Sequence, residues 1–407
     1  MLTVEQAQAV VMRSLSPLPA ERRPLLETLG CVLAESVVAR VSLPPFDNSA
    51  MDGLAVIAAD TTAATTEAPR RLEVIEDVPA GARPERGVRP GTAARIMTGA
   101  PIPAGADAVV IIENTRPGPS GTVDVITPAK VGDNIRPAGE DIAAGVEALS
   151  PGQLLEAGEL GLLSALGRTE VSVIRRPRVS IVTTGAELVQ PGEKLRPGTI
   201  YNSNQVALAA SVLRAGGEVV QCRHVFDDEA ALEEALRSCG DADLLLTTGG
   251  VSVGDYDFVK GVLARLGDIK LWRVRMKPGK PVAFGEVLGR PLFGLPGNPV
   301  SVLVTFEMLV APALRLLAGR KDCLPVTVAA TLLSDIRHKP GRREYCQAIT
   351  RYLDDGYVVE PSKKRGSAML TATIGANSLL VLPEESKGLC PGERATVVLL
   401  GRGGDEL

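Results

Sequence analysis

Three apolar runs in this chain give way to glycine and polar residues: TTGAEL (183–188), TTGGVSVGDYD (247–257) and GLPGNP (294–299). Glycine lets backbone N–H groups come close to an anion, and a helix that starts just after such a loop adds the positive end of its dipole. The residue types therefore suit a phosphate-like ligand, with Gly249, Gly250, Ser252 and Gly254 in the second loop and Pro296, Gly297, Asn298 and Pro299 in the third as candidate binding positions. No loop fits the G-x-x-x-x-G-K-[ST] or G-x-G-x-x-G pattern, which disfavours a P-loop NTPase or a dinucleotide dehydrogenase. Basic residues sit nearby in sequence: RVRMKPGKPVAFG carries Arg273, Arg275, Lys277 and Lys280 around a Pro-Gly turn, which is read as an oxyanion clamp.

Carboxylates are the other ingredient. Asp52, Asp141, Glu187, Asp227, Asp228, Asp255 and Asp257 all fall in turn or glycine-rich contexts. N-capping of the following helix accounts for at least one of Asp227 and Asp228, and Asp257 can cap the helix after it. A hard cation such as Mg²⁺ bridging carboxylates and a ligand phosphate reconciles acidic side chains with an anionic guest. Histidine chemistry is disfavoured, because His224 and His338 are the only two and neither lies in these loops. The chain has no evident Cys–His pair.

These residues need elements to hold them. Thr3 and Gln6 form a capping-box pattern ahead of a helix with Val4, Ala7, Val10 and Val11 on one face. From about residue 55 to 142, short Val/Ile-rich pieces alternate with Gly/Pro turns and predict a small β domain. GQLLEAGELGLLSALG returns to helical spacing and is expected to pack beside the first helix, making the β segment an insertion. Between Arg178 and Gly319 the pattern of strand, loop and helix repeats, which predicts parallel strands covered on both faces and puts the three glycine loops on one rim. After residue 321 short β pieces return and predict a compact C-terminal barrel or sandwich.

Composition bounds the rest. At 407 residues, with roughly 100–200 per domain, three or four domains are expected. A net charge of −4, from 44 basic and 48 acidic residues, argues against a nucleic-acid or anionic-membrane surface. The six cysteines are dispersed without a C-x-x-C pair, so neither a zinc site nor a disulfide framework is encoded. Reduced thiols, an N-terminus without a leader pattern and the lack of a run of about 18 apolar residues are read as cytoplasmic and unanchored.

Taken in order, PPFDNSAMDGLAV, RIMTGAPIPAGADAVV, RPAGEDI, TTGAELV, IYNSN, TTGGVSVGDYDF, MKPGKPVAFG, GLPGNPVS, GRREY and GSAML resemble the MoeA type of molybdopterin molybdenumtransferase, to which the E domain of gephyrin is also similar. The resemblance implies an elongated helical domain I (1–45 with 143–176), an inserted β domain II (46–142), an α/β molybdopterin-binding domain III (177–320) with a doubly wound, mostly parallel sheet, and a C-terminal β-barrel domain IV (321–407). It further implies a cytoplasmic homodimer whose active cleft draws on both subunits. The family inserts molybdenum from molybdate into adenylylated molybdopterin, with Mg²⁺-dependent hydrolysis that releases AMP and molybdenum cofactor. Contacts with the adenylyltransferase that supplies its substrate and with molybdoenzyme-maturation proteins are part of the same implication.

Family site positions fall on Asp52, Thr98, Asp141, Glu187, Asp227, Asp257, Arg273, Lys277, Pro296, Pro299 and Ser367. Of these, Asp52, Thr98, Glu187, Asp227 and Asp257 are expected to be catalytic, and Glu187, Asp227 and Asp257 to hold the metal. Three departures stand out: Ala186 where an aspartate is common, Leu54 where a tyrosine is usual, and Arg273 where a lysine is also found. A peptide-binding scaffold and an amidase that borrows the α/β domain are the competing readings. The retained charged loop residues argue against the first, and the SAMDG segment with the C-terminal β domain argues against the second.

Overall fold

In this computed structural model the described residues are 1–249, 258–353 and 356–401. They form two compact units, one of Met1–Arg23, Thr28–Ala34 and Ser172–Leu407, the other of Pro24–Glu27 and Glu35–Val171.

The first unit is built on a six-stranded sheet in the order Glu218–Val225, Arg178–Thr184, Leu244–Thr248, Arg290–Leu295, Pro281–Val287, Gly267–Arg273. Side chains alternate across it as a pleat requires. Ile181, Leu244 and Leu246 face a cluster with Leu208, Val212 and Val300, whereas Val182 and Leu245 face Leu232, Leu236 and Leu263. Helices therefore cover both faces, and each fully buried Leu or Ile contributes about 1.5–3 kcal/mol.

The first four strands run parallel. The last two do not: Pro281–Val287 pairs antiparallel with both Arg290–Leu295 and Gly267–Arg273. The sheet is thus mostly parallel, as expected, with an antiparallel hairpin at one edge. Leu288 and Gly289, both at positive φ, make the turn between Val287 and Arg290, and so short a connection permits only a hairpin.

Thr3 caps the helix Val4–Arg13 through the expected reciprocal bonds with Gln6. Its buried Val4, Ala7 and Val11 join the α/β core beside Met308 and Leu314. The N-terminal region also holds short strands. Short strands at Val32–Leu33 and Glu170–Ile174 pair with each other, as do Val37–Val38 and Glu147–Leu149. Pro17, Pro19 and Pro24 prevent the first helix from continuing. Among the described residues one helix, Pro299–Leu317, is long and apolar enough to cross a membrane by length and composition, and most of it is buried in the core.

Past residue 321, five strands close a ring. Arg343–Leu353 pairs with Gly356–Pro361 and Ser378–Leu382; Thr327–Leu332 pairs with Gly356–Pro361 and Arg394–Leu399; and Ser378–Leu382 pairs with Arg394–Leu399. The barrel interior holds Leu332, Cys346, Val359, Leu380 and Val397. A short strand, Met276–Lys277, adds parallel to Arg343–Leu353 with Lys277 opposite Glu344.

The second unit centres on another six-stranded sheet, in which Gly53–Val56 lies between Ala108–Ile111 and Thr92–Ile96. Leu54 and Val56 face one cluster and Ala55 the other. Gly53 must stay bare, because a Cβ there would lie 2.0 Å from the Val110 carbonyl oxygen.

Candidate active site

The three parallel strands ending at Thr184, Thr248 and Leu295 are neighbours, so their loops start side by side. Gly249 has φ +97° and sits so close to the first loop that a Cβ would fall 2.3 Å from the Thr184 carbonyl oxygen. A Cβ on Gly297 would in turn touch the Gly249 Cα at 3.9 Å. Asn204, in the helix Ser203–Arg214, fastens two of the loops by donating to the Gly297 carbonyl at 2.7 Å and to Thr248 Oγ1 at 3.3 Å. Thr248 Oγ1 donates onward to the Pro296 carbonyl at 2.8 Å. Thr184 Oγ1 and Asn204 Oδ1 are buried here without a hydrogen-bond partner, a cost that a polar ligand or water would relieve.

On the same rim, the Ala186 N–H donates to Asp227 Oδ2 at 3.2 Å, and the Glu187 carboxylate folds back over Gly185, where a Cβ would meet Oε2 at 2.7 Å. Glu187 and Asp227 thus flank one loop, both exposed. Asp228, not Asp227, caps the following helix by accepting from the Ala231 N–H at 2.6 Å, which leaves Asp227 free of that structural duty. Among the described residues no group of three or more His, Cys, Asp or Glu side chains gathers as a metal cage. Gly250, Ser252, Gly254, Asp255 and Asp257 lie outside the described residues.

Beside this rim is a cleft of ≈ 380 Å³ whose walls include Lys277, Lys280, Pro296, Asn298, Arg342, Glu344, Arg365 and Ser367. Asn298 Nδ2 donates to Ser367 Oγ at 3.2 Å, and the Val300 N–H donates to the Ser367 carbonyl at 3.0 Å, which pins the 366–367 turn to the helix that Pro299 begins. Four cations, Lys277, Lys280, Arg342 and Arg365, share the lining with one carboxylate, Glu344. The cleft is therefore suited to an anion.

Glu344 is 6 % exposed. Its Oε2 accepts from Lys277 Nζ at 3.0 Å and its Oε1 from an Arg365 nitrogen at 2.8 Å. Burial alone would raise its carboxyl pKa, but these two bonds and the nearby positive charges outweigh it and hold the group below the usual carboxylate range. His338 borders it, with Nε2 at 3.7 Å from Glu344 Oε2, and its ring is fixed between the Ser386 and Arg342 carbonyl oxygens at 2.9 and 3.0 Å. Beneath the cleft, burial pushes the Cys346 thiol up to about 12, so it is no nucleophile at neutral pH.

Arg273 does not line the cleft. It ends the edge strand exposed, and its carbonyl accepts from the Leu2 N–H at 3.4 Å. Asp52, Thr98 and Asp141 belong to the second unit. There Thr98 donates twice to Asp52 Oδ1, from its N–H and its hydroxyl, each at 2.7 Å, and these bonds, the backbone one foremost, lower the Asp52 carboxyl pKa. Asp141 is exposed, with its N–H bonded to the Leu43 carbonyl at 3.0 Å. Leu54, the departure next to Asp52, is buried in the sheet core and does not reach toward that turn. Glu344, Arg342 and Arg365 were not singled out from the sequence, although GRREY and KKRGSAML hold them.

Residues 2–167 match the family described as MoeA N-terminal region (domain I and II), residues 180–316 the "Probable molybdopterin binding domain", and residues 329–400 the MoeA C-terminal region (domain IV). The chain belongs to the MoeA family. Among its relatives, Molybdopterin molybdenumtransferase 2 of Mycobacterium tuberculosis is 42% identical, covering 98% of this chain and 99% of the relative. Molybdopterin molybdenumtransferase of Haemophilus influenzae is 35% identical, covering 98% of both. The crystal structure of the molybdopterin biosynthesis moeA protein from Pyrococcus horikoshii OT3 superposes with a TM-score of 0.83 at 32% identity, covering 98% of this chain and 100% of that one. As a MoeA-family member the chain is an enzyme, a transferase of molybdenum cofactor biosynthesis.

Proposed function

We propose that this enzyme inserts molybdenum from molybdate into adenylylated molybdopterin and releases AMP in the process. The observation that carries the reading is the cation-lined cleft next to three converging loops. Lys277, Lys280, Arg342 and Arg365 give a tetrahedral oxyanion several donors in a half-enclosed space, where charge-assisted bonds are strong. The loop glycines and the start of the Pro299 helix offer backbone amides to the phosphate of the second substrate.

Glu187 and Asp227 are oxygen donors on one loop, and Mg²⁺ commonly takes one or two carboxylates with the remainder from phosphate and water, so the described residues fit that ion. When bound, Mg²⁺ would neutralise phosphate charge as the phosphoanhydride breaks. Asp257 completes the expected metal set, and Arg273 and Asp141 stay with it as substrate-contact assignments by family position. Asp52, its carboxylate kept ionised by Thr98, suits the handling of a proton or a water. The reading also takes the enzyme to be a cytoplasmic homodimer.

The test is reconstitution of the full chain with adenylylated molybdopterin, molybdate and Mg²⁺, following AMP by chromatography and cofactor by activation of an apo-molybdoenzyme. AMP release that depends on molybdate and Mg²⁺, and falls in Glu187→Gln and Asp227→Asn, is expected. AMP formation indifferent to both carboxylates would overturn the metal assignment, and no AMP at all would overturn the reaction.

A further inference from the structure

Arg365 comes from the turn after the barrel strand Gly356–Pro361, far in sequence from every glycine loop, yet it lines the same cleft as Lys277. Lys277 comes from the short strand laid on the outside of the barrel. A single nearly buried carboxylate joins them, with Glu344 Oε2 accepting from Lys277 and Oε1 from Arg365. A second nitrogen of Arg365, Nη1, donates to the Arg337 carbonyl at 2.9 Å. The guanidinium is therefore held at two points, while 33 % of its side chain and 44 % of that of Lys277 remain exposed. Each cation has N–H groups to spare beyond these bonds. Two cations around one cleft would repel and splay without a counter-charge. Glu344, a nearly buried member of that lining, supplies it, bordered at 3.7 Å by the fixed His338 ring.

Resting on the oxyanion reading of this cleft, we propose that Arg365 is an oxyanion-binding residue and that Glu344 is its positioning residue, aiming Arg365 and Lys277 at one tetrahedral dianion. The arrangement makes a prediction whose sign is informative. Neutralising Glu344 makes the cleft more positive, so simple Coulomb attraction calls for tighter anion binding. Positioning calls for weaker binding, because a planar guanidinium recognises an oxyanion by direction as well as charge.

The experiment is equilibrium dialysis of the full chain against molybdate, with inorganic phosphate as competitor, for wild type, K277A, R365A, R365K, E344Q and the R365A/E344Q pair, each checked for a wild-type melting transition. Expected are about tenfold or greater weakening in R365A, partial recovery in R365K, weakening in E344Q, and a loss in the double variant smaller than the sum of the two single losses, since part of the effect of Glu344 runs through Arg365. Tighter binding in E344Q, or additive losses in the pair, would overturn the positioning role. Wild-type binding in R365A together with weakened K277A would overturn the Arg365 assignment and leave the cleft reading standing. Wild-type binding in both K277A and R365A would remove the oxyanion reading itself. If E344Q fails to fold, R365A and R365K still decide the binding role.

Discussion

Thr98 bonds Asp52 through both its backbone N–H and its hydroxyl, and both bonds end on the same oxygen, Oδ1. Donors to the charged form favour ionisation, in line with the lowered carboxyl. Thr98→Val removes one of the two donors while keeping the shape. The Asp52 carboxyl, followed by NMR titration, should then move up toward the ordinary aspartate range, and AMP release should fall more steeply with decreasing pH than in wild type. An unmoved titration would show that the hydroxyl is irrelevant to Asp52.

Glu344 gives a pH signature in stability. Its folded carboxyl lies below its unfolded value, so its contribution is fully present above the unfolded glutamate pKa of about 4.3 and is lost as pH falls through the lower folded value. The stability gap between wild type and Glu344→Gln, from urea melts, should be constant near neutrality and shrink below about pH 4. Because Lys277 is 44 % exposed and Arg365 remains as a partner, Lys277→Met should cost only about 1 kcal/mol. A gap that widened in acid would contradict the sign.

At Gly249 the backbone is at φ +97°, and a methyl group would collide with the Thr184 carbonyl. Gly249→Ala should therefore cost about 1–3 kcal/mol and separate the first two loops, lowering AMP release by more than the stability loss explains. Unchanged urea midpoints would mean that the strand ends tolerate more room than the close approach implies.

Asn204 is the clip between the second and third loops. Asn204→Ala should lower stability by about 1–2 kcal/mol. Asn204→Asp should be worse, because it puts a carboxylate oxygen where an N–H now meets the Gly297 carbonyl. Stability measurements in which the aspartate variant matches wild type would reject the assigned amide orientation.

How far the sequence reaches is shown by particular residues. The alternation of Ile181 with Val182 and of Leu244 with Leu245 announces a sheet covered on both faces, and the Thr3–Gln6 box announces the first helix. Local pattern could not reveal that the strand Pro281–Val287 runs backward, because it reads as apolar as its parallel neighbours and only the brevity of the Leu288–Gly289 link sets its direction. Nor could it say where the first helix would bury its face. In the cleft, Lys277, Lys280 and Asn298 are legible as turn or loop residues with chemical side chains, and Ser367 only through the family resemblance. Glu344 and Arg365 are not, because their meaning comes from strand pairing across the barrel and has no signature in their immediate neighbours.

Lys277 stands opposite Glu344 because Met276–Lys277 is laid in fixed parallel alignment on Arg343–Leu353. Side chains on adjacent strand positions point to opposite faces, so a slip of one residue would turn the lysine away from its carboxylate. Charge balance in the cleft is thus a matter of counting along a ribbon: a change that moved either strand by one residue past the other would part Lys277 from Glu344.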